Sequence, residues 1–184
     1  MYGKGLAGVV LMGTVEDHSK AALLFGKRLC RIMAAFRGWH YRSKLVDDLA
    51  IGGYNKKFKP ARTQSDWITS DYERLEKYVT DPLCTFRFTV NAYYNMFLGM
   101  VNMQRKESVY MIPKGLPVLF VSGMEDPVGG FGKGVRKIYE KYRTAGMQDV
   151  SLRLYAGDRH EILNETDRYQ VYEDLLGWFE AHRK

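Results

Sequence analysis

Pro117-Val118-Leu119-Phe120-Val121-Ser122 is an apolar run that breaks at Gly123 and is followed by Met124-Glu125-Asp126-Pro127. After an intervening helical segment, a second run, Val150-Ser151-Leu152-Arg153-Leu154-Tyr155, breaks at Gly157 and leads into Asp158-Arg159-His160. A strand, a crossover helix and a second strand make a βαβ unit, with parallel strands and a right-handed connection. Parallel neighbours end on the same edge of the sheet, about 4.8 Å apart. The spacing therefore predicts that Asp126 and His160 approach one another as a carboxylate–imidazole pair. Open α/β sheets carry their chemistry at that edge.

Working outward, Leu6-Ala7-Gly8-Val9-Val10-Leu11-Met12 reads as a strand covered on both faces, ended by Gly13-Thr14. Such a strand wants neighbours on both sides, and only two later runs are of its kind. Leu24, Phe25, Leu29, Ile32, Met33 and Phe36 recur at helical spacing between Lys20 and Arg37. Gly52 to Pro60 is rich in breakers and reads as a loop. Asp66 to Asp71 leads into a short helix through Leu75 and Val79. Between Phe86 and Gln104, Phe86, Val90, Tyr93, Tyr94, Phe97 and Val101 form one stripe, with Met96, Met100 and Met103 beside it. Two readings stand for it: plain core, or a pocket for an acyl chain, to which methionine and aromatic side chains adapt. The glycines between Val128 and Gly134 lack the spacing of a nucleotide fingerprint and suit close backbone approach. A last helix, Thr166 to His182, carries Tyr169, Tyr172, Leu175, Leu176 and Phe179 on its expected inner face.

At 184 residues one domain could bury about 70% of its surface. A hydrophobic fraction of 46% with 14% aromatics excludes disorder. No apolar run is long enough to span a bilayer, and the start lacks the features of a signal peptide. Cys30 and Cys84 have no metal-ligand spacing and read as free, core-facing thiols in a reducing cytoplasm. The net charge is +7, with basic residues interleaved with acids except at Lys56, Lys57 and Lys59. No concentrated basic face or reading motif points to nucleic acid. The charge leaves room for a mild attraction to anionic lipid surfaces.

Of the four histidines, His18 and His40 fall near helix ends, where capping is the default, and His182 falls in a terminal turn expected to be solvated. His160 alone follows a strand directly. Catalytic and structural readings are both open for it. Asp126 could equally cap a turn, and Asp158 or Glu161 could be the polar partner. No His and Cys grouping has zinc spacing, and neither metal nor cofactor is expected.

The stretches Ser122 to Gly129 and Gly157 to Glu165 resemble the acid and histidine motifs of α/β-hydrolases. The branch they are most similar to is the lysophospholipase and monoacylglycerol-lipase-like group, serine aminopeptidase S33. Asn55-Lys56-Lys57-Phe58, Trp67-Ile68-Thr69-Ser70-Asp71 and Asp81-Pro82-Leu83-Cys84 resemble that family's cap, in the family's order. The resemblance spans essentially the whole chain. It implies catalytic roles for Asp126 and His160, carboxylic-ester hydrolysis on a lysophospholipid or monoacylglycerol, and an acyl pocket in the cap formed by Phe25, Leu29, Met33, Phe97 and Met100.

In that family the triad runs Ser, Asp, His, with the serine on a G-x-S-x-G elbow. This sequence contains no G-x-S-x-G, and the pattern places the elbow just upstream of Met1, with Met1-Tyr2-Gly3-Lys4 as the end of the nucleophile helix. The oxyanion-hole donors belong upstream as well. The chain thus reads as the C-terminal part of an α/β-hydrolase: residues 1–14 a core strand, 15–114 a helical cap, 115–184 the core with the acid and histidine loops. The expected partners are the missing N-terminal half, or a second copy through the exposed sheet edge, and a lipid or small ester substrate. The alternative is a non-catalytic binding or assembly module that dimerises through that edge.

Overall fold

A computed structural model describes residues 5–15 and 17–183; the segment Met1 to Lys4, read as a helix end, lies outside the described residues. Strands β1 (Val9–Met12), β2 (Val118–Gly123) and β3 (Val150–Tyr155) form a parallel sheet in that order. Met12 pairs with Val121, and Gly123 with Tyr155. β2 is buried at all six positions, because it lies between two strands and under helices on both faces. Its side chains alternate, as a period of two requires. Val118 and Phe120 pack with Val135 of α6 (Lys133–Thr144). Leu119 and Val121 pack on the opposite face with Ile162 and with Val171 of α7 (Arg168–His182).

β1 is finished differently. Val9, Val10 and Leu11 are half-buried and Met12 is 38% exposed. Among the described residues no strand pairs with its outer side. Pairing begins at Val9, later than Leu6, where Gly8 lies so close to Trp178 that a Cβ would stand 2.5 Å from its ring.

The expected inner face of α7 is corrected. Tyr169, Tyr172, Leu176 and Phe179 are exposed, by 67%, 41%, 59% and 50%, while Val171, Leu175 and Trp178 face the sheet. Its apolar residues fill a wide arc, with Gln170, Glu173, Asp174 and Glu180 on the other side, so two adjacent stripes compete for the core and periodicity cannot choose between them. His182 is likewise not free in solvent. Its Nδ1 meets the Trp178 carbonyl at 2.7 Å and its Nε2 meets Asp149 at 3.1 Å.

Between β1 and β2 the chain is helical: α1 (Lys20–Arg37), α2 (Lys44–Ala50), α3 (Tyr72–Thr80), α4 (Val90–Met103) and α5 (Lys106–Tyr110). α1 packs along α4 through Leu23, Cys30 and Ala34 against Tyr93 and Phe97. Polar side chains start three of these helices by accepting a backbone N–H: Ser43 from Val46, Asp71 from Arg74 and Thr89 from Ala92. Because Thr89 caps α4, Phe86 lies outside the helix and is half exposed. α2 and α5 are too short to show a period, which is why the sequence pattern does not announce them. Cys30 is a buried free thiol, whereas Cys84 is exposed, contrary to its core-facing reading. Among the described residues no helix is long and apolar enough to cross a membrane.

Candidate active site

The carboxyl ends of β2 and β3 bring the two expected residues together. His160 Nδ1 lies 3.1 Å from Asp126 Oδ2. Asp126 is fully buried, while the imidazole side chain is 28% exposed, so the pair points from the protein interior toward the surface. Asp126 Oδ1 accepts the Val128 N–H at 2.8 Å, which fixes the carboxylate's plane. Ser122, also buried, approaches Oδ2 at 3.4 Å. A carboxylate on Nδ1 holds the tautomer in which Nδ1 carries the proton and Nε2 is the basic nitrogen. The other acids considered as partners lie elsewhere. Glu161 accepts from Asn164, and Asp158 lies buried beside the acids Asp167 and Glu165.

Close backbone approach makes the pairing possible. Gly123, the last residue of β2, lies directly under the histidine loop, and a Cβ there would fall 2.1 Å from the Asp158 carbonyl oxygen. That carbonyl accepts the Glu125 N–H at 2.8 Å. Gly13, at the end of β1 with φ 59°, lies against the imidazole, its virtual Cβ 3.0 Å from His160 Cε1.

The histidine loop is also tied to residues 66–71, through side chains that sequence reasoning missed. Glu165 is completely buried. Its carboxylate accepts the Ser70 N–H at 2.9 Å, the Ser70 hydroxyl, and the Arg159 N–H at 2.8 Å. Arg159 donates from Nη1 to the carbonyls of Asp66 and Thr69, the latter at 3.1 Å, and its guanidinium lies over the Phe58 ring. Burial lowers the Arg159 pKa from its ordinary value, with Glu165 and Asp66 opposing that shift. Backbone N–H groups of His160 and Glu161 donate to Trp67 and Ile68, and the Trp67 ring stands 5.3 Å from the imidazole. Both stretches carry motifs of the family resemblance, yet no periodicity joins positions 95 residues apart.

Burial raises the Asp158 carboxyl pKa from an ordinary 3.8 to about 7, helped by Asp167 and then Glu165. Its Oδ2 is buried without a hydrogen-bond partner. A carboxylate stripped of water in this way favours its neutral form.

The five residues expected to line an acyl pocket are dispersed. Leu29, Met33 and Phe97 pack in the α1–α4 interface, and Phe25 is 63% exposed. Met100 sits at the end of that interface and lines a cavity of about 640 Å³. The cavity is bounded by Val10 to Val15, Met103, Val109, Phe120 and the Ile138 and Tyr142 side of α6, so it lies on the α6 face of the sheet beside β1. Among the described residues no group of three or more His, Cys, Asp or Glu could hold a metal ion.

Solved structures share this arrangement of strands and helices. A thermostable carboxyl esterase from Bacillus coagulans, in complex with glycerol, is 25% identical with a TM-score of 0.85; the match covers 99% of this chain and 59% of the esterase. A lipase in its open form is 23% identical with a TM-score of 0.76, covering 97% of this chain and 58% of the lipase. A soluble variant of monoglyceride lipase from Saccharomyces cerevisiae, in complex with a substrate analogue, is 18% identical with a TM-score of 0.65, over 96% and 56% of the two chains. The chain therefore spans about three fifths of the length of these structures. The model of the family described as serine aminopeptidase, S33 matches residues 1–167. With its parallel sheet and flanking helices, this chain is an α/β-hydrolase and belongs to the family described as serine aminopeptidase, S33.

Proposed function

We propose that this chain is the acid- and histidine-bearing part of a serine ester hydrolase, whose nucleophilic serine and oxyanion hole come from polypeptide outside these 184 residues. The single observation that carries the reading is the 3.1 Å contact between His160 Nδ1 and the fully buried Asp126 carboxylate. In the assembled site His160 takes the serine proton at Nε2 and returns it to the leaving alcohol, and Asp126 orients the imidazole and stabilises its charged form. The substrate class is a carboxylic ester with an apolar acyl group, in keeping with the esterase and lipases this chain resembles. Free thiols at Cys30 and Cys84 suit a reducing cytoplasmic setting.

Among the described residues, the unpaired outer side of β1, the apolar cavity beside it and the exposed stripe Tyr169, Tyr172, Leu176 and Phe179 on the helix covering the other face support a missing neighbour. That neighbour would add a parallel strand with a helix on each face. A second reading rests on the same rim: a non-catalytic module that pairs with a second copy of itself.

A fluorophosphonate probe tests the proposal. The chain alone should not be labelled. A chimaera in which it replaces the matching part of the Bacillus coagulans esterase should be labelled at the supplied serine and hydrolyse short-chain esters. His160→Ala in the chimaera should lower turnover by about 10⁴-fold. Labelling of the isolated chain, or a folded chimaera indifferent to His160→Ala, would overturn the reading. Light scattering addresses the second reading, which requires a dimer that Leu176→Lys dissociates.

A further inference from the structure

The catalytic reading leaves unused a cavity of about 320 Å³ between residues 57–66 and the histidine loop. Its volume is at the small end of ligand pockets, which start at about 300 Å³. Lys57, Lys59, Arg62 and Arg159 line it, with Phe58 and one acid, Asp66. Asp66 does not neutralise them, because its carboxylate is taken up by its own loop. Oδ2 accepts the Arg62 N–H at 2.8 Å, while Oδ1 accepts the Thr63 N–H at 3.1 Å and the Thr63 hydroxyl at 2.7 Å. Among the described residues none of the four cations forms an ion pair.

Aromatic faces position three of the cations instead. The Arg159 guanidinium stands 4.4 Å from the centre of the Phe58 ring, that of Arg62 5.2 Å from Tyr72, and Lys57 Nζ 3.5 Å from Phe131. A ring face fixes a cation without cancelling its charge. Arg159 is anchored further by donating from Nη1 to the Asp66 and Thr69 carbonyls, which leave its charge in place as well. Burial first, and then the charge of Arg62, lower the Arg159 pKa, against the pull of Glu165, Asp66 and Glu125. Like charges gathered around a concave site favour an anion between them. A carboxylate brings one charge, too little for four cations. A phosphate group brings about two, with three acceptor oxygens that match the fork of a guanidinium.

We propose that this pocket binds the phosphate dianion of a small soluble ligand, with Lys57, Lys59, Arg62 and Arg159 as its donors. The site does not depend on the catalytic reading. Phosphorus NMR titration of the full chain tests it, with inorganic phosphate and, in parallel, glycerol 3-phosphate. Binding should saturate at one site per chain. Tighter binding of the ester assigns the pocket to a phosphomonoester, and an ester that binds no more tightly assigns it to free phosphate. Lys59→Gln with Arg62→Gln removes two exposed cations and should weaken binding at least about tenfold, with circular dichroism and Tm unchanged. Arg28→Gln with Arg31→Gln removes the same charge from exposed positions on α1 and should leave the affinity within about twofold. Absence of saturable binding of either ligand by the wild-type chain would overturn the proposal, as would binding that Lys59→Gln with Arg62→Gln leaves unchanged. An equal loss in the two double variants would also overturn it, by reducing the effect to net charge.

Discussion

The carboxyl edge of the sheet and the outer side of β1 are only a few residues apart, yet they are finished in opposite ways. At the edge, Gly123, Asp126, His160 and Glu165 are bound into one another through backbone contact and buried hydrogen bonds. Among the described residues the outer edge of β1 is unpaired, an apolar cavity opens beside it, and four apolar side chains of α7 are exposed. A site that is over-determined on one side and a rim that is bare on the other are what the proposed divided active site would require. On that proposal the acid and base are held in place by their own half, and the nucleophile's strand comes from the other.

The sharpest way to break the ordered side is Gly123→Ala. Its Cβ would collide with two backbone carbonyls, those of Asp158 at 2.1 Å and Arg159 at 2.3 Å, and neither can swing aside as a side chain would. The histidine loop must move or the strand must bend, at a cost of at least about 3 kcal/mol. The imidazole should then separate from Asp126, which the Nδ1 proton signal of His160 in NMR would report. Gly99→Ala is the control. That glycine lies inside α4 with nothing within 4 Å, so the change should raise stability by about 1 kcal/mol.

Glu165→Gln is a milder lesion in the same lock. The carboxylate accepts from Ser70 and from Arg159, and an amide would turn a donor toward donors. The expected loss is about 3 kcal/mol by urea unfolding. Rapid amide exchange at Ser70 and Arg159 should accompany it. If exchange there stays slow, the tie between residues 66–71 and the histidine loop does not depend on Glu165.

How much of this was legible beforehand differs between the two regions for a physical reason. The three strands, α1 and the Asp126–His160 approach follow from apolar runs and from the fixed geometry of parallel strands, both local or topological rules. Glu165 and Arg159 act across 95 and 90 residues, and long-range hydrogen bonds leave no periodic trace. On α7 the expected inner face holds only at Leu175, because Tyr169, Tyr172, Leu176 and Phe179 adjoin Val171, Leu175 and Trp178 on one wide apolar arc. Only tertiary contact selects among them.

Asp158 gives the ordered side a pH signature. Its pKa is raised from 3.8 in the unfolded chain to about 7 in the fold, first by burial and then by Asp167 and Glu165. Between those values the folded protein keeps a proton that the unfolded chain has released. The folded state thus binds more protons, and stability falls as pH rises through that window, levelling off above pH 7. Asp158→Asn should remove this fall, leaving the variant less sensitive than the parent when urea midpoints at pH 5 and pH 8 are compared. Parallel pH profiles for the two proteins would mean that the carboxyl ionises freely in the fold.

The smallest effect on stability should come from the bare side, and that is its value. Leu176 and Phe179 are 59% and 50% exposed on α7, so replacing both by Lys removes few intramolecular contacts and should change unfolding by about 0.5 kcal/mol or less. The same double substitution places two charges on the face offered to a neighbouring helix, where burial of an unpaired ammonium is costly. Association of this chain with a complementing half, or with itself, should therefore weaken at least about tenfold while the isolated chain is almost untouched. An equal loss in both measurements would place those side chains in the chain's own core. No loss in either would remove α7 from the rim, leaving β1 and its cavity as the open surface.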